Sequence, residues 1–142
     1  MSYSLSYSKA ILVVIFISDK VRQGQYEYLS TASISEILNI PKPTLVKIMQ
    51  SLNADGIIET KEGKQGGVML TRDPSKITLL DIFNSIEKGK ALFQTSFNIL
   101  AQGKRPDNAQ KSVSKVFDEV ESQMKRSLSQ KTIGEILSEM NS

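Results

Sequence analysis

Two prolines constrain how the middle of this chain can fold. Pro41 and Pro43 stand inside STASISEILNIPKPTLVKIMQSLNADGIIETKEGKQGGVML, residues 30–70. A proline ring removes a backbone donor and clashes with the preceding helical turn. It suits the first turn of a helix, where the N–H has no partner in any case. One helix must therefore end before Pro41, and another must begin near Lys42. The first carries Ile34, Ile37 and Leu38 at i, i+3, i+4, a single apolar stripe, with Ser30 or Thr31 as its N-cap. Asn39 permits a left-handed turn and Ile40 plugs the corner. The second helix runs from about Lys42 to Ala54 and turns Leu45, Ile48, Met49 and Leu52 inward. Asp55-Gly56 ends it. Ile57-Ile58-Glu59-Thr60 then reads as a short strand and Val68-Met69-Leu70 as its partner, around the basic, glycine-rich tip Lys61 to Gly67.

The outer face of the second helix is Lys42, Thr44, Val46, Lys47, Gln50 and Ser51, which includes no acid. Helix, tight turn, helix and basic hairpin make a winged helix-turn-helix, whose second helix can enter a major groove. Thr44 and Lys47 lie one turn apart and are the first candidates for reading base edges, with Pro43 and Val46 available to a thymine methyl. Lys42, Gln50 and Ser51 suit phosphates or the groove edge. On the wing, Lys61, Lys64 and Gln65 suit phosphate or minor groove, and Gly66 and Gly67 permit close approach.

The stretch from Ile40-Pro41 through Gly56-Ile57-Ile58, then Gly66-Gly67-Val68-Met69-Leu70, then Asp73-Pro74-Ser75-Lys76-Ile77-Thr78-Leu79-Leu80-Asp81-Ile82, resembles the Rrf2 family of bacterial transcription regulators. The resemblance covers residues 5 to 90 in detail and the remainder in layout. It implies a winged fold that binds DNA. Many proteins of this kind hold an iron–sulfur cluster through three cysteines between the fourth and fifth helices. Here that region, Gly89 to Lys111, has none. Relatives often place polar or acidic side chains where Val46 and Lys47 stand, so this chain's operator would differ.

The chain has no cysteine and no histidine. That removes the thiolate and imidazole ligands of iron–sulfur and structural zinc sites, thiol switching, and the usual base of nucleophilic triads. No cofactor, metal site or catalytic residue is expected, and no carboxylate pair suggests an enzyme. The net charge of +3 permits nucleic-acid binding without requiring it. The longest apolar run, Ala10 to Ile17, is too short to span a membrane, and no secretion signal precedes it. A cytoplasmic location follows as the expectation.

That run reads as a helix from Ser6 or Ser8 to Val21, buried within the protomer or completed by a second subunit. Tyr26 and Tyr28 flank the winged region, where packing is the plainer reading. Thr78 and Asp81 form a capping box opening a helix over Leu79 to Glu87, with Leu80, Phe83 and either Leu79 or Ile86 inward. Ala91-Leu92-Phe93 and Phe97 to Leu100 suit a helical turn or two, ahead of a loop at Gly103 to Asn108. A long amphipathic helix follows over Ala109 to Leu128. Its stripe of Val113, Val116, Phe117, Val120, Met124 and Leu128 exceeds what a small winged domain covers, and suits the same helix of a second subunit. Thr132 and Glu135 open a last helix, Ile133 to Met140, with Ile136, Leu137 and Met140 apolar.

The expected fold is mainly α with a small β-hairpin: a winged helix-turn-helix DNA-binding domain over residues 1–90, with connection and dimerisation helices over 91–142. The expected function is that of a homodimeric, sequence-specific transcriptional regulator, a repressor, whose partner is double-stranded DNA. A winged module that binds protein rather than DNA is the alternative. A small-molecule effector near Tyr26, Phe93 or Phe97 and the absence of any effector are both compatible with the sequence.

Overall fold

A computed structural model describes residues 5–22, 29–63 and 66–141 of the 142. Tyr26, Tyr28, Lys64 and Gln65 lie outside the described residues.

The turn chemistry around Asn39 works as the sequence suggests. Helix α2 spans Thr31–Leu38 and α3 spans Lys42–Ala54. The Ser30 hydroxyl caps α2 by accepting from the Ser33 N–H at 3.1 Å. Asn39 takes φ 52 and its N–H donates to the last carbonyls of the helix, a left-handed stop that asparagine tolerates. Ile40 is buried in the corner. Ile34 is buried too, but Ile37 is 61% exposed, so the first stripe is narrower than its spacing implied. In α3 the buried set is Leu45, Ile48, Met49 and Leu52, as expected.

Strands β1, Ile58–Lys61, and β2, Gly67–Leu70, pair antiparallel with Ile58 opposite Leu70 and Lys61 opposite Gly67. Ile57 precedes the strand rather than opening it. Leu29 adds one rung on the far side of β2: its N–H donates to the Val68 carbonyl at 2.9 Å, and the Val68 N–H returns to the Leu29 carbonyl at 2.7 Å. That pairing requires glycine at position 67. A Cβ there would lie 2.3 Å from the Leu29 carbonyl oxygen, and the backbone holds φ +152.

Helix α1, Leu5–Arg22, is the hub, packing on α2, α3, β2 and two later helices. Ala10, Val13, Val14 and Ile17 are buried within the protomer, whereas Leu5 and Leu12 are 67% and 52% exposed. Buried Ser18 is satisfied by donating to the Val14 carbonyl at 2.7 Å. Asp73 caps a short 3-10 turn, Pro74–Lys76. The Thr78–Asp81 capping box opens α4, Leu79–Ile86. The phase of α4 differs from expectation. Ile82 and Phe83 face the core, Leu79 and Ile86 pack on its border, and Leu80 is outside it. Tyr7 of α1 sets this phase, meeting Phe83 edge-on at 5.3 Å between ring centroids and donating to the Leu79 carbonyl at 2.7 Å.

Residues 90–103 contain no helical turn, contrary to the apolar spacing there. They run beside α5, Lys104–Ser129, with the ring of Phe93 stacked on Phe117 at 4.3 Å and the Leu92 N–H donating to the Glu121 carboxylate at 2.7 Å. Helix α5 thus begins five residues earlier than the sequence pattern suggested. Pro106 lies in the first turn, where its missing donor costs nothing. No residue of this 26-residue helix is fully buried. Helix α6, Ile133–Glu139, turns back to the winged unit, and Ile133 and Leu137 join the same core as α1 to α4. Gly134 lets it sit against the 3-10 turn, since a Cβ would lie 2.9 Å from the Ser75 Cα. Met140, expected on the apolar face, is 53% exposed. The C-terminal region therefore splits, with α5 outside the core and α6 within it.

Candidate nucleic-acid interface

An α-helix advances about 100° per residue, so the buried set of α3 fixes which side chains point away from the core. Opposite Leu45, Ile48, Met49 and Leu52 lie Pro43, Lys47 and Gln50, all exposed. Val46, 39% exposed, borders this ridge on one side. Thr44 and Ser51, both half-buried, border it on the other. Lys42 is exposed at the N-terminus. The sequence-derived face is therefore one continuous surface, but Thr44 stands on its flank rather than on its crest.

The helix is held by apolar burial on its inner side and by an ion pair at its end. Lys88, just beyond α4, approaches the Asp55 carboxylate to 3.2 Å. The acid next to α3 is thereby tied to the body and kept off the outward ridge. The wing presents Lys61, exposed at the end of β1, and Gly66, whose N–H donates to the Gly63 carbonyl at 3.1 Å. A Cβ at Gly66 would lie 2.0 Å from the Lys61 carbonyl oxygen. Gly67 is committed to the Leu29 contact described above, so its role in the fold is structural.

The stripe of α5 divides. Phe117, Met124 and Leu128 are half-buried against the protomer, while Val113, Val116 and Val120 are 40%, 53% and 41% exposed. These three valines recur at i, i+3 and i+7, an apolar strip on an otherwise polar helix.

Several cavities lie outside the core among the described residues. One of about 670 Å³ separates β2 and the 3-10 turn from α6, with Met69, Leu70, Pro74 and Leu137 among its lining residues. A shallow one of about 580 Å³ runs along α5 beside Thr95 and Phe97. A third, of about 270 Å³, lies where α1, α3 and the end of α4 meet. Sequence reasoning missed this last one.

No described group of three or more His, Cys, Asp or Glu side chains could hold a metal ion. Residues 90–103 contain none of these four residue types. Among the described residues no helix is long and apolar enough to cross a membrane. Burial, and then the charge of Glu87, push the Tyr7 hydroxyl up to about 12, and hydrogen bonds from Ser85 and then Lys88 hold the Asp55 carboxyl below the usual carboxylate range.

A helix-turn-helix with its second helix outward, a two-stranded wing and a long C-terminal helix define a winged-helix regulator of transcription. The profile of the Rrf2 family, described as an iron-dependent transcriptional regulator, matches residues 2–139, and the chain belongs to that family. It is 24% identical over 142 residues to a Lactococcus lactis protein named "Putative HTH-type transcriptional regulator YffB", covering 98% of this chain and 88% of the relative. Among solved structures it shares its fold with IscR of T. potens, with a TM-score of 0.72 at 18% identity, over 99% of this chain and 88% of that one. CymR, the global cysteine regulator of B. subtilis, gives 0.65 at 20% identity over 97% of each chain. These relatives and fold neighbours are regulators of transcription, not enzymes. Among the described residues the iron in the family's description finds no matching donor set: the chain lacks cysteine and histidine, and the segment before α5 lacks carboxylates.

Proposed function

We propose that this protein is a homodimeric, sequence-specific DNA-binding repressor of the cytoplasm that works without an iron–sulfur cluster or a thiol switch. The observation that carries the reading is the outward face of α3. It is exposed, free of acid, and backed by four buried apolar residues that hold it rigid. In a major groove, Gln50 can pair with an adenine edge, Thr44 and Lys47 can meet base acceptors, and Pro43 and Val46 can contact thymine methyls. Lys42 and Ser51 belong to the phosphates that border the groove, and Lys61, Lys64, Gln65 and Gly66 to the wing contact, with Gly67 holding the wing against Leu29. The exposed Val113, Val116 and Val120 support a two-fold dimer through α5, with Phe117, Met124 and Leu128 behind them. Two copies would present two α3 helices to a palindrome. Occupying a promoter is the simplest way for such a dimer to act, which favours repression.

The test compares Gln50→Ala with Lys61→Ala on a cognate duplex and on scrambled DNA at several salt concentrations. Gln50→Ala should cost about 1–3 kcal/mol on the cognate site and relax preference at one base position per half-site. Lys61→Ala should weaken both duplexes alike and lower the salt slope by about one. A specificity ratio that follows Lys61 and ignores Gln50 would refute the assignment of the two elements.

A further inference from the structure

The cleft between α1, α3 and the end of α4 is lined by Ser6, Lys47, Ile48, Ser51, Ile86 and Lys90. Its chemistry is not that of a core defect. Two lysines and two serines line it together with two isoleucines, and no acid lines it. The residues come from three separate elements: Ser6 from the first turn of α1, Lys47 and Ser51 from successive turns of α3, and Lys90 from just past α4. Lys90 approaches the Glu87 carboxylate to 3.7 Å, but Glu87 lies beneath the surface with its side chain fully buried, while the Lys90 side chain is 63% exposed. One buried carboxylate set against two lysines leaves the mouth of the cleft positive. Its volume of about 270 Å³ is below the roughly 300–1,000 Å³ of a small-molecule or cofactor site. Lys90 and two hydroxyl donors, beside a Lys47 that stands between this cleft and the base-facing ridge, suit a phosphate group.

We infer that this cleft is a phosphate seat on the flank of the recognition helix, and that its occupant is a backbone phosphodiester of bound DNA. The inference rests on the DNA-binding reading above and extends it to residues outside the helix-turn-helix and the wing. Lys47 and Ser51 join the seat to the outward ridge of α3, so a strand bordering the groove that α3 enters passes over the cleft. Ser6 and Lys90 then anchor α1 and α4 to the same strand. Such contacts carry no sequence information and set the register of the helix in the groove.

The experiment measures binding to cognate and scrambled duplexes across a salt series for wild type, Lys90→Gln, Lys90→Arg and Ser6→Asp. Lys90→Gln should weaken both duplexes by the same factor, about five- to tenfold at moderate salt, and lower the salt slope by about one. Lys90→Arg should restore slope and affinity. Ser6→Asp guards against a folding artefact, because an acid in the first turn of α1 favours the helix. It should leave thermal stability unchanged or raised while weakening both duplexes at least tenfold. A parallel titration with inorganic pyrophosphate, followed by amide shifts at Ser6 and Ser51, addresses a free phosphorylated ligand as the source. If Lys90→Gln and Ser6→Asp bind DNA as wild type does, the seat is refuted and the DNA-binding reading stands. If they lose pyrophosphate binding alone, the occupant is a free ligand and the DNA assignment is overturned. Wild type that binds neither duplex would overturn both the regulator reading and this inference.

Discussion

Replacing Gly67 by alanine should unlock the wing from the body of the protein. The added Cβ would sit 2.3 Å from the Leu29 carbonyl oxygen, against an ordinary contact distance of about 3.5 Å. The two backbones must part by roughly 1 Å, too far for hydrogen bonds that now measure 2.9 and 2.7 Å. Losing both costs about 2 kcal/mol. Holding alanine at φ +152 adds about 1–2 kcal/mol of backbone strain. The expected total is about 3–4 kcal/mol, or a fall in melting temperature of roughly 10–15 °C for a chain of this size. Gly56→Ala supplies the control. Gly56 also has positive φ, +72, but a Cβ there meets nothing within 4 Å, so only the left-handed penalty of about 1–2 kcal/mol applies. Urea denaturation followed by circular dichroism measures both. Equal losses for the two variants would show that Leu29 does not clamp β2, and the account of the wing would fail.

Val120→Asp should split the dimer without unfolding the protomer, because Val120 is 41% exposed in the single chain. Sedimentation should show dimer for wild type at micromolar concentration and monomer for the variant, with unchanged circular dichroism; a wild-type monomer would refute the seam. Tyr7 gives a pH signature. Its folded value of about 12 lies above the ordinary 10, so its neutral form stabilises the fold fully below pH 10, and that contribution disappears as pH rises towards 12. The stability advantage of wild type over Tyr7→Phe should therefore shrink across that window, and a difference constant from pH 9 to 12 would contradict the buried hydroxyl. Diamide followed by dithiothreitol should leave DNA affinity unchanged, since the chain has no thiol. A reversible, dithiothreitol-sensitive change in the purified protein would refute this.

The elements most legible in the sequence were those set by local stereochemistry. Asn39, Pro41 and Pro43 bounded α2 and α3 because only certain backbone angles are open to them. Thr78–Asp81 and Thr132–Glu135 marked two helix starts because each pair satisfies backbone donors reciprocally. Phase was less legible in short helices. Leu79, Leu80, Ile82, Phe83 and Ile86 allow more than one apolar face over two turns, and the choice fell to Tyr7, more than seventy residues away. Ile37 failed for a related reason: an eight-residue helix covers only part of its stripe. Phe93 and its neighbours looked helical by spacing, yet they form no helix, and stacking on Phe117 and the hydrogen bond to Glu121 hold them against α5. The cleft at Ser6, Ser51 and Lys90 left no sequence signal at all, because its parts meet only in the packed structure.

The central claim is that α3 reads a defined sequence, and selection from a random duplex library tests it most directly. The purified protein should enrich a two-fold symmetric motif, with half-site centres about 10–10.5 base pairs apart or a multiple of that. The motif should bind at least about a thousandfold more tightly than scrambled DNA at physiological salt. Retention of all sequences alike, with no motif emerging after repeated rounds, would contradict the claim and leave a winged module whose partner is protein.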